Sequence, residues 1–113
     1  MRVRHIVMWS FHSQYTDEEN QEHALAIKEG LEGLYGKIPG LLSIKVIIAP
    51  LGSSNRALML DSMFEDEAAL KNYQSHPAHK EAQKIVHGAM NMDTRICYDY
   101  EITESPMADS SSI

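Results

Sequence analysis

The sequence predicts an α+β domain, an antiparallel sheet with helices against one face, and three observations carry that reading. Apolar residues alternate over four short stretches. They recur at spacings of three and four over longer ones that begin with capping residues. Turn formers mark the boundaries, so the order reads strand–helix–strand–strand–helix–helix–strand.

Residues 2–12 alternate, with Val3, His5, Val7, Trp9 and Phe11 on one face and Arg4, Ile6, Met8, Ser10 and His12 on the other. Both faces carry large apolar groups, which predicts a strand covered on both sides. Thr16-Asp17-Glu18-Glu19 is a capping box, the Thr hydroxyl capping and the Glu bonding back. Ala24, Ile27, Leu31, Leu34 and Ile38 then predict an amphipathic helix of roughly 20 residues. Gly30, Gly33 and Gly36 each cost about 1 kcal/mol against Ala inside a helix. They imply either a helix that ends early or one that lies close to the sheet along a smooth ridge, and the second is expected. Pro39-Gly40 closes the element.

Leu41 to Ala49 is a second strand, apolar on both faces, and 50–55 is a turn by composition. Arg56 to Phe64 is its expected hairpin partner. Asp66 caps a short helix carrying Ala69, Leu70 and Tyr73; from Pro77 another helix turns Ala78, Ala82, Ile85, Val86 and Ala89 inward. Asp93 to Thr103 is the last strand, with Ile96, Tyr98 and Tyr100 opposite Arg95, Cys97 and Asp99. That order is the split βαβ pattern of ferredoxin-like domains.

Composition bounds the rest. With 113 residues, 43% hydrophobic and 23% charged, the chain suits one domain, expected at 1–103, and a Ser-rich, acidic tail at 104–113. A net charge of −6 argues against nucleic acid, whose phosphates demand a basic surface. No stretch is long and apolar enough to span a membrane. A lone Cys97 excludes an intrachain disulfide, and a cytoplasmic location is expected. Helices cover one face of the sheet. On the other, Ile6, Met8, Met59, Met63, Ile96, Tyr98 and Tyr100 form an apolar patch too large to meet water, so a homodimer through this open face is predicted.

Chemistry concentrates in Tyr73-Gln74-Ser75-His76-Pro77-Ala78-His79. Pro77 ends one helix near His76 and suits the first turn of the next. Tyr73 and His79 therefore face one corner from two helices, a geometry for general acid/base work. The same rings would equally serve to fill and hydrogen-bond that corner. His76 and His79 stand three apart, but Pro77 interrupts the helix between them and nothing nearby completes a ligand set, so neither a metal nor another cofactor is expected. Cys97 reads as an inert buried thiol, and His12, His23 and His87 as surface residues.

The segments Arg4 to Phe11, Ile38-Pro39-Gly40, Asp61 to Leu70, Tyr73 to His79 and Asp99-Tyr100 together resemble the stress-responsive A/B barrel domain (Dabb) family over about residues 2–103. The resemblance implies a ferredoxin-like protomer whose dimer closes into an α+β barrel. Most members have no known reaction. A plant branch, the olivetolic acid cyclase type, closes a linear polyketide by aldol condensation without a cofactor. By that resemblance Tyr73 and His79 carry the chemistry, Asp99 lies where it orients His79, and His5 lines a pocket between sheet and helices. Val7, Trp9, Leu31, Leu60, Ser62 and His76 are the other expected lining residues. Ile27, Lys28 and Leu31 stand where that branch has aromatic side chains, and Trp9, Arg95 and Cys97 also depart from it. The expected ligand is a small hydrophobic or aromatic compound; the alternative is a cofactor-independent polyketide cyclase or aldol-type lyase with a His/Tyr acid–base pair.

Overall fold

In the computed structural model, which describes residues 1–103, strand β1 (Val3–Phe11) alternates between two environments: Val3, His5, Val7 and Trp9 are buried, and Arg4, Ile6, Met8 and Ser10 are half-buried. The period of two is the pleat itself, which sends successive side chains to opposite faces. Helix α1 (Asp17–Glu32) follows, then β2 (Leu41–Ile47), β3 (Leu58–Phe64), α2 (Glu67–Ser75), α3 (Pro77–Ala89) and β4 (Met90–Glu101). The four strands form one antiparallel sheet in the order β2-β3-β1-β4. Val7, Leu60 and Phe64 of the sheet share the core with Ile27 and Leu31 of α1, Tyr73 of α2 and Val86 of α3. Among the described residues no helix is long and apolar enough to cross a membrane. The tail expected at 104–113 lies outside the described residues.

Thr16 caps α1 as predicted: its hydroxyl accepts from Glu19 N–H, and the Glu19 carboxylate accepts from Thr16 N–H. The helix stops at Glu32 rather than reaching Ile38, because Gly33 is its C-cap and Gly36 adopts φ 87°. Leu34 and Ile38 are buried all the same, delivered by turns. The expected glycine ridge against the sheet is absent; Gly30 instead faces α3, where an added Cβ would stand 3.3 Å from Ile85 Cδ1. Ile85, expected inward, is 41% exposed. Gly40 has φ 82°, and a Cβ there would come within 2.5 Å of the Ala69 Cβ. Only glycine lets β2 start so close to α2.

Strand boundaries also differ from expectation. β3 begins at Leu58, and β2 slips register between Leu41 and Ser43, which leaves Leu42 exposed. β4 starts at Met90, directly after α3, and a register shift opposite Trp9 separates the Met8–Ile96 pair from the Ser10–Asn91 pair. Thr94 replaces the interrupted ladder there: Ser10 N–H donates to its hydroxyl at 2.8 Å, and that hydroxyl donates to Asn91 C=O at 2.6 Å. Such bulges bend a strand and re-aim its side chains.

The two outer strands are treated differently. Lys28 and Glu32 of α1 reach the free edge of β2, with Lys28 Nζ donating to Val46 C=O at 2.8 Å and Val46 N–H donating to Glu32 at 2.9 Å. Burial works against the Glu32 charge, yet Lys28 and the Val46 N–H hold its carboxyl below the usual range. At Val46 that edge is therefore closed to further pairing. β4 has Ile96, Tyr98 and Tyr100 exposed on the face away from the helices, Tyr98 at 64%.

Candidate functional site

The corner between α2 and α3 forms as Pro77 dictates. His76 is both the C-cap of α2 and the N-cap of α3, in extended conformation, with Pro77 in the first turn of α3. Ala78 N–H donates to His76 Nδ1 at 3.0 Å. That imidazole is a capping group, not a wall of the cavity.

Tyr73 on the last turn of α2 and His79 on the first turn of α3 meet, their ring centroids 4.0 Å apart. His5 of β1 approaches Tyr73 edge-on at 6.0 Å, and Phe64 packs against Tyr73 at 4.9 Å. The phenol is thus held on three sides by rings. Tyr73, His79 and His5 line a cavity of about 250 Å³ between the sheet and the helices, with Phe64 behind them. Val7, Trp9, Leu31 and Leu60 give it apolar walls. Of the lining residues expected from sequence, Ser62 is the other that stays outside: it is fully buried behind the wall and its hydroxyl donates to His5 C=O at 2.9 Å.

Asp99 does not orient His79. β1 and β4 pair His5 with Asp99, so both side chains leave the sheet on the helix side, and His5 Nδ1–H donates to Asp99 Oδ1 at 2.5 Å. A carboxylate only accepts, which places a proton on Nδ1. His79 is fixed less tightly, its Nδ1–H donating to Gln74 C=O at 3.4 Å. Burial pushes its pKa below the ordinary histidine value, so near neutrality the ring is uncharged.

Tyr73 is 1% exposed, and among the described residues its hydroxyl has no hydrogen-bond partner. Burial drives its pKa well above the usual phenol value, so it stays a donor. A buried polar group without a partner costs about 1–3 kcal/mol. The indole N–H of Trp9, on the same wall, is likewise buried and unpartnered.

Sequence reasoning missed Gln74, Gln83, His87, Met92 and Arg95, which also line the cavity. For α3 a signal existed, since His79, Gln83, Val86 and His87 recur at helical spacing and share a face. Arg95 follows from strand alternation with Cys97 and Asp99, whereas Met92 lies in the bulge and had no signal. Cys97 is exposed rather than buried. Its thiol donates to Asp99 Oδ1 at 3.5 Å, and burial together with that carboxylate raises its pKa, so it is a protonated thiol rather than a nucleophile.

Fold and cavity define a ferredoxin-like α+β protomer with an enclosed histidine–tyrosine corner. The pattern of the Stress Responsive A/B Barrel Domain matches residues 3–102, and the chain belongs to that family. Among solved structures, it is similar to a dimeric, ferredoxin-like protein of unknown function from Bacteroides fragilis, at 30% identity, 89% of this chain, 96% of that one, and TM-score 0.82. A Dabb protein from Mesorhizobium loti shares the fold at 16% identity, covering 90% and 97% of the two chains with TM-score 0.65. So does a hydroxynitrile lyase from Passiflora edulis, at 19% identity, 92% and 95% coverage, and TM-score 0.68. No curated protein matches the chain.

Proposed function

We propose that this protein works as a cytoplasmic homodimer whose cavity binds a small, largely apolar compound bearing a carbonyl oxygen. The observation that carries this is the Tyr73 hydroxyl, buried on the cavity wall with no acceptor among the described residues. A ligand oxygen there removes the cost of that orphaned donor. At about 250 Å³ the space falls below the ~300–1,000 Å³ of drug-sized sites, which suits a compound near a substituted benzene in size. The proposed dimer seam is the open face of the sheet, where Tyr98 and Tyr100 stack edge to face at 6.0 Å.

A second reading, a cofactor-independent lyase or cyclase, is favoured by one specific observation: the cavity reaches Tyr73 and His79 together. A neutral His79, with Nδ1 spent on Gln74, has Nε2 to take a proton beside a carbonyl. Tyr73 then donates to the oxygen as it gains negative charge. The same fold hosts a lyase in Passiflora edulis. A linear polyketide is less suited, because Trp9 forms part of the wall.

Trp9 is the only tryptophan, so its indole gives one cross-peak in a proton–nitrogen spectrum. Acetophenone and its 4-alkyl homologues are the probes. We expect saturable shifts of that cross-peak, weakened in Tyr73→Phe. Exchange of the ketone's α-protons for deuterium tests the second reading: it should accelerate with wild type and lose that acceleration in His79→Gln while binding persists. Absence of saturable shifts with every homologue overturns the pocket; saturation with unaccelerated exchange overturns only the catalysis. Sedimentation at micromolar concentration should give a dimer mass for wild type and a monomer for Tyr98→Asp, and a wild-type monomer would refute the seam.

A further inference from the structure

His5, Cys97 and Asp99 offer a nitrogen, a sulfur and an oxygen that all lie within 4.8 Å of one another on the helix side of the sheet. We infer that this cluster is a site for a borderline-soft divalent cation, of which zinc is the best match, beside the cavity rather than at the His76–His79 spacing.

The argument starts from sheet register. β1–β4 pairing sets His5 opposite Asp99 and Val7 opposite Cys97, so alternation puts all three donors on one face of two adjacent strands. Bond lengths of about 2.0–2.3 Å at tetrahedral angles put ligand atoms roughly 3.3–3.7 Å apart. Cys97 Sγ lies 3.5 Å from Asp99 Oδ1 and 3.9 Å from His5 Nδ1, already near those separations. The third edge, His5 to Asp99, is 2.5 Å because a proton occupies it. Asp99's side chain is 37% exposed, so it can swing outward by the ångström the cation needs.

The donor set selects the ion. Thiolate with imidazole and one carboxylate favours zinc and cobalt over magnesium or calcium, which take oxygen ligands. On binding, the Cys97 thiol proton leaves to solvent, and the His5 proton moves from Nδ1 to Nε2, so Nδ1, Sγ and the carboxylate are all free to coordinate. Three protein ligands leave a fourth position for water or a ligand oxygen, the pattern of an open rather than a closed zinc site. His5 belongs both to this cluster and to the cavity wall. Ser62, bonded to the His5 backbone carbonyl, steadies the strand that carries it.

Cobalt(II) is the direct probe, used with the full chain under a phosphine reductant, and no organic ligand is required. We expect visible d–d absorption of tetrahedral strength together with a near-ultraviolet band from sulfur-to-cobalt charge transfer. Cys97→Ser should remove the near-ultraviolet band. Zinc affinity, read by competition with a chromogenic chelator, should fall by at least about tenfold in both Cys97→Ser and Asp99→Asn. Because residues 97 and 99 are exposed, these variants should keep the wild-type circular dichroism, which separates lost ligation from lost fold. An octahedral, aquo-like cobalt spectrum with wild type, or equal zinc affinity in wild type and both variants, overturns the site. Neither outcome bears on the acetophenone experiment, so the two readings stand or fall apart.

Discussion

The two faces of the sheet are built from the same strands and obey different rules. On the helix side Val3, Val7, Leu58, Leu60 and Phe64 are buried in one core, and Val7 and Leu60 also wall the cavity. On the other side Met8, Met59 and Met63 are half-buried and Tyr98 is largely exposed, with Arg4 and Asp61 paired among them at 2.7 Å. Stability is concentrated in the first face, and the second is the face proposed for association. The helix-side face also holds the candidate site, because only there are a phenol and two imidazoles kept from bulk water, with the exposed Asp99 carboxylate bonded to one of the imidazoles.

The sharpest way to break that contrast is to empty the closed face. Phe64 is fully buried against Tyr73 and His5, so Phe64→Ala should cost about 3–5 kcal/mol in urea unfolding. Met59→Ala, on the open face at intermediate burial, should cost clearly less in protomer unfolding under the same conditions. Equal losses would dissolve the distinction between the faces.

A smaller effect comes from the buried imidazole. His79 has a folded pKa lowered below 6.5, with burial the chief cause. Above the unfolded value the ring is neutral in both states and imposes no penalty. As pH falls below 6.5 the unfolded chain takes up the proton first, so stability declines until the folded His79 is protonated too. Urea midpoints measured between pH 7.5 and pH 5 should therefore fall more steeply for wild type than for His79→Gln; parallel curves would remove His79 as the source.

The smallest expected change is at Arg4 and Asp61, each 30% exposed in side chain. The Asp61 hydrogen bond raises the Arg4 pKa, but a half-exposed pair is screened. Arg4→Met should shift protomer stability by no more than about 1 kcal/mol, and the shift should shrink in high salt. A loss as large as that of Phe64→Ala would mean the open face is as closed as the core.

Sequence patterning carried the fold well where one principle acted alone. The pleat of β1, the Thr16 box and the Pro77 corner each rest on local sterics or a local hydrogen bond, and each stands within a residue of its expected place. Where two principles competed, the pattern misled. Apolar spacing through Ile38 argued for a longer α1, but Gly33 and Gly36 ended it, and turns buried Leu34 and Ile38 instead. The β4 bulge at Trp9 was invisible because a bulge leaves composition unchanged and shifts only the partner.

The same division holds at the site. That Tyr73 and His79 share a corner was legible, since only five residues, Pro77 among them, lie between the two across a helix junction. The chain alone determined an α+β order, a two-faced sheet and a ring-bearing bend, because these follow from periods of two and 3.6 and from the missing N–H of proline. Only the tertiary structure decided that Asp99 belongs to His5, that Cys97 stands beside them, and that Tyr73 has no hydrogen-bond partner among the described residues. Those facts depend on strand register and on how far apart two packed surfaces stop, and a long-range distance is fixed by the whole fold rather than by any local run of residues.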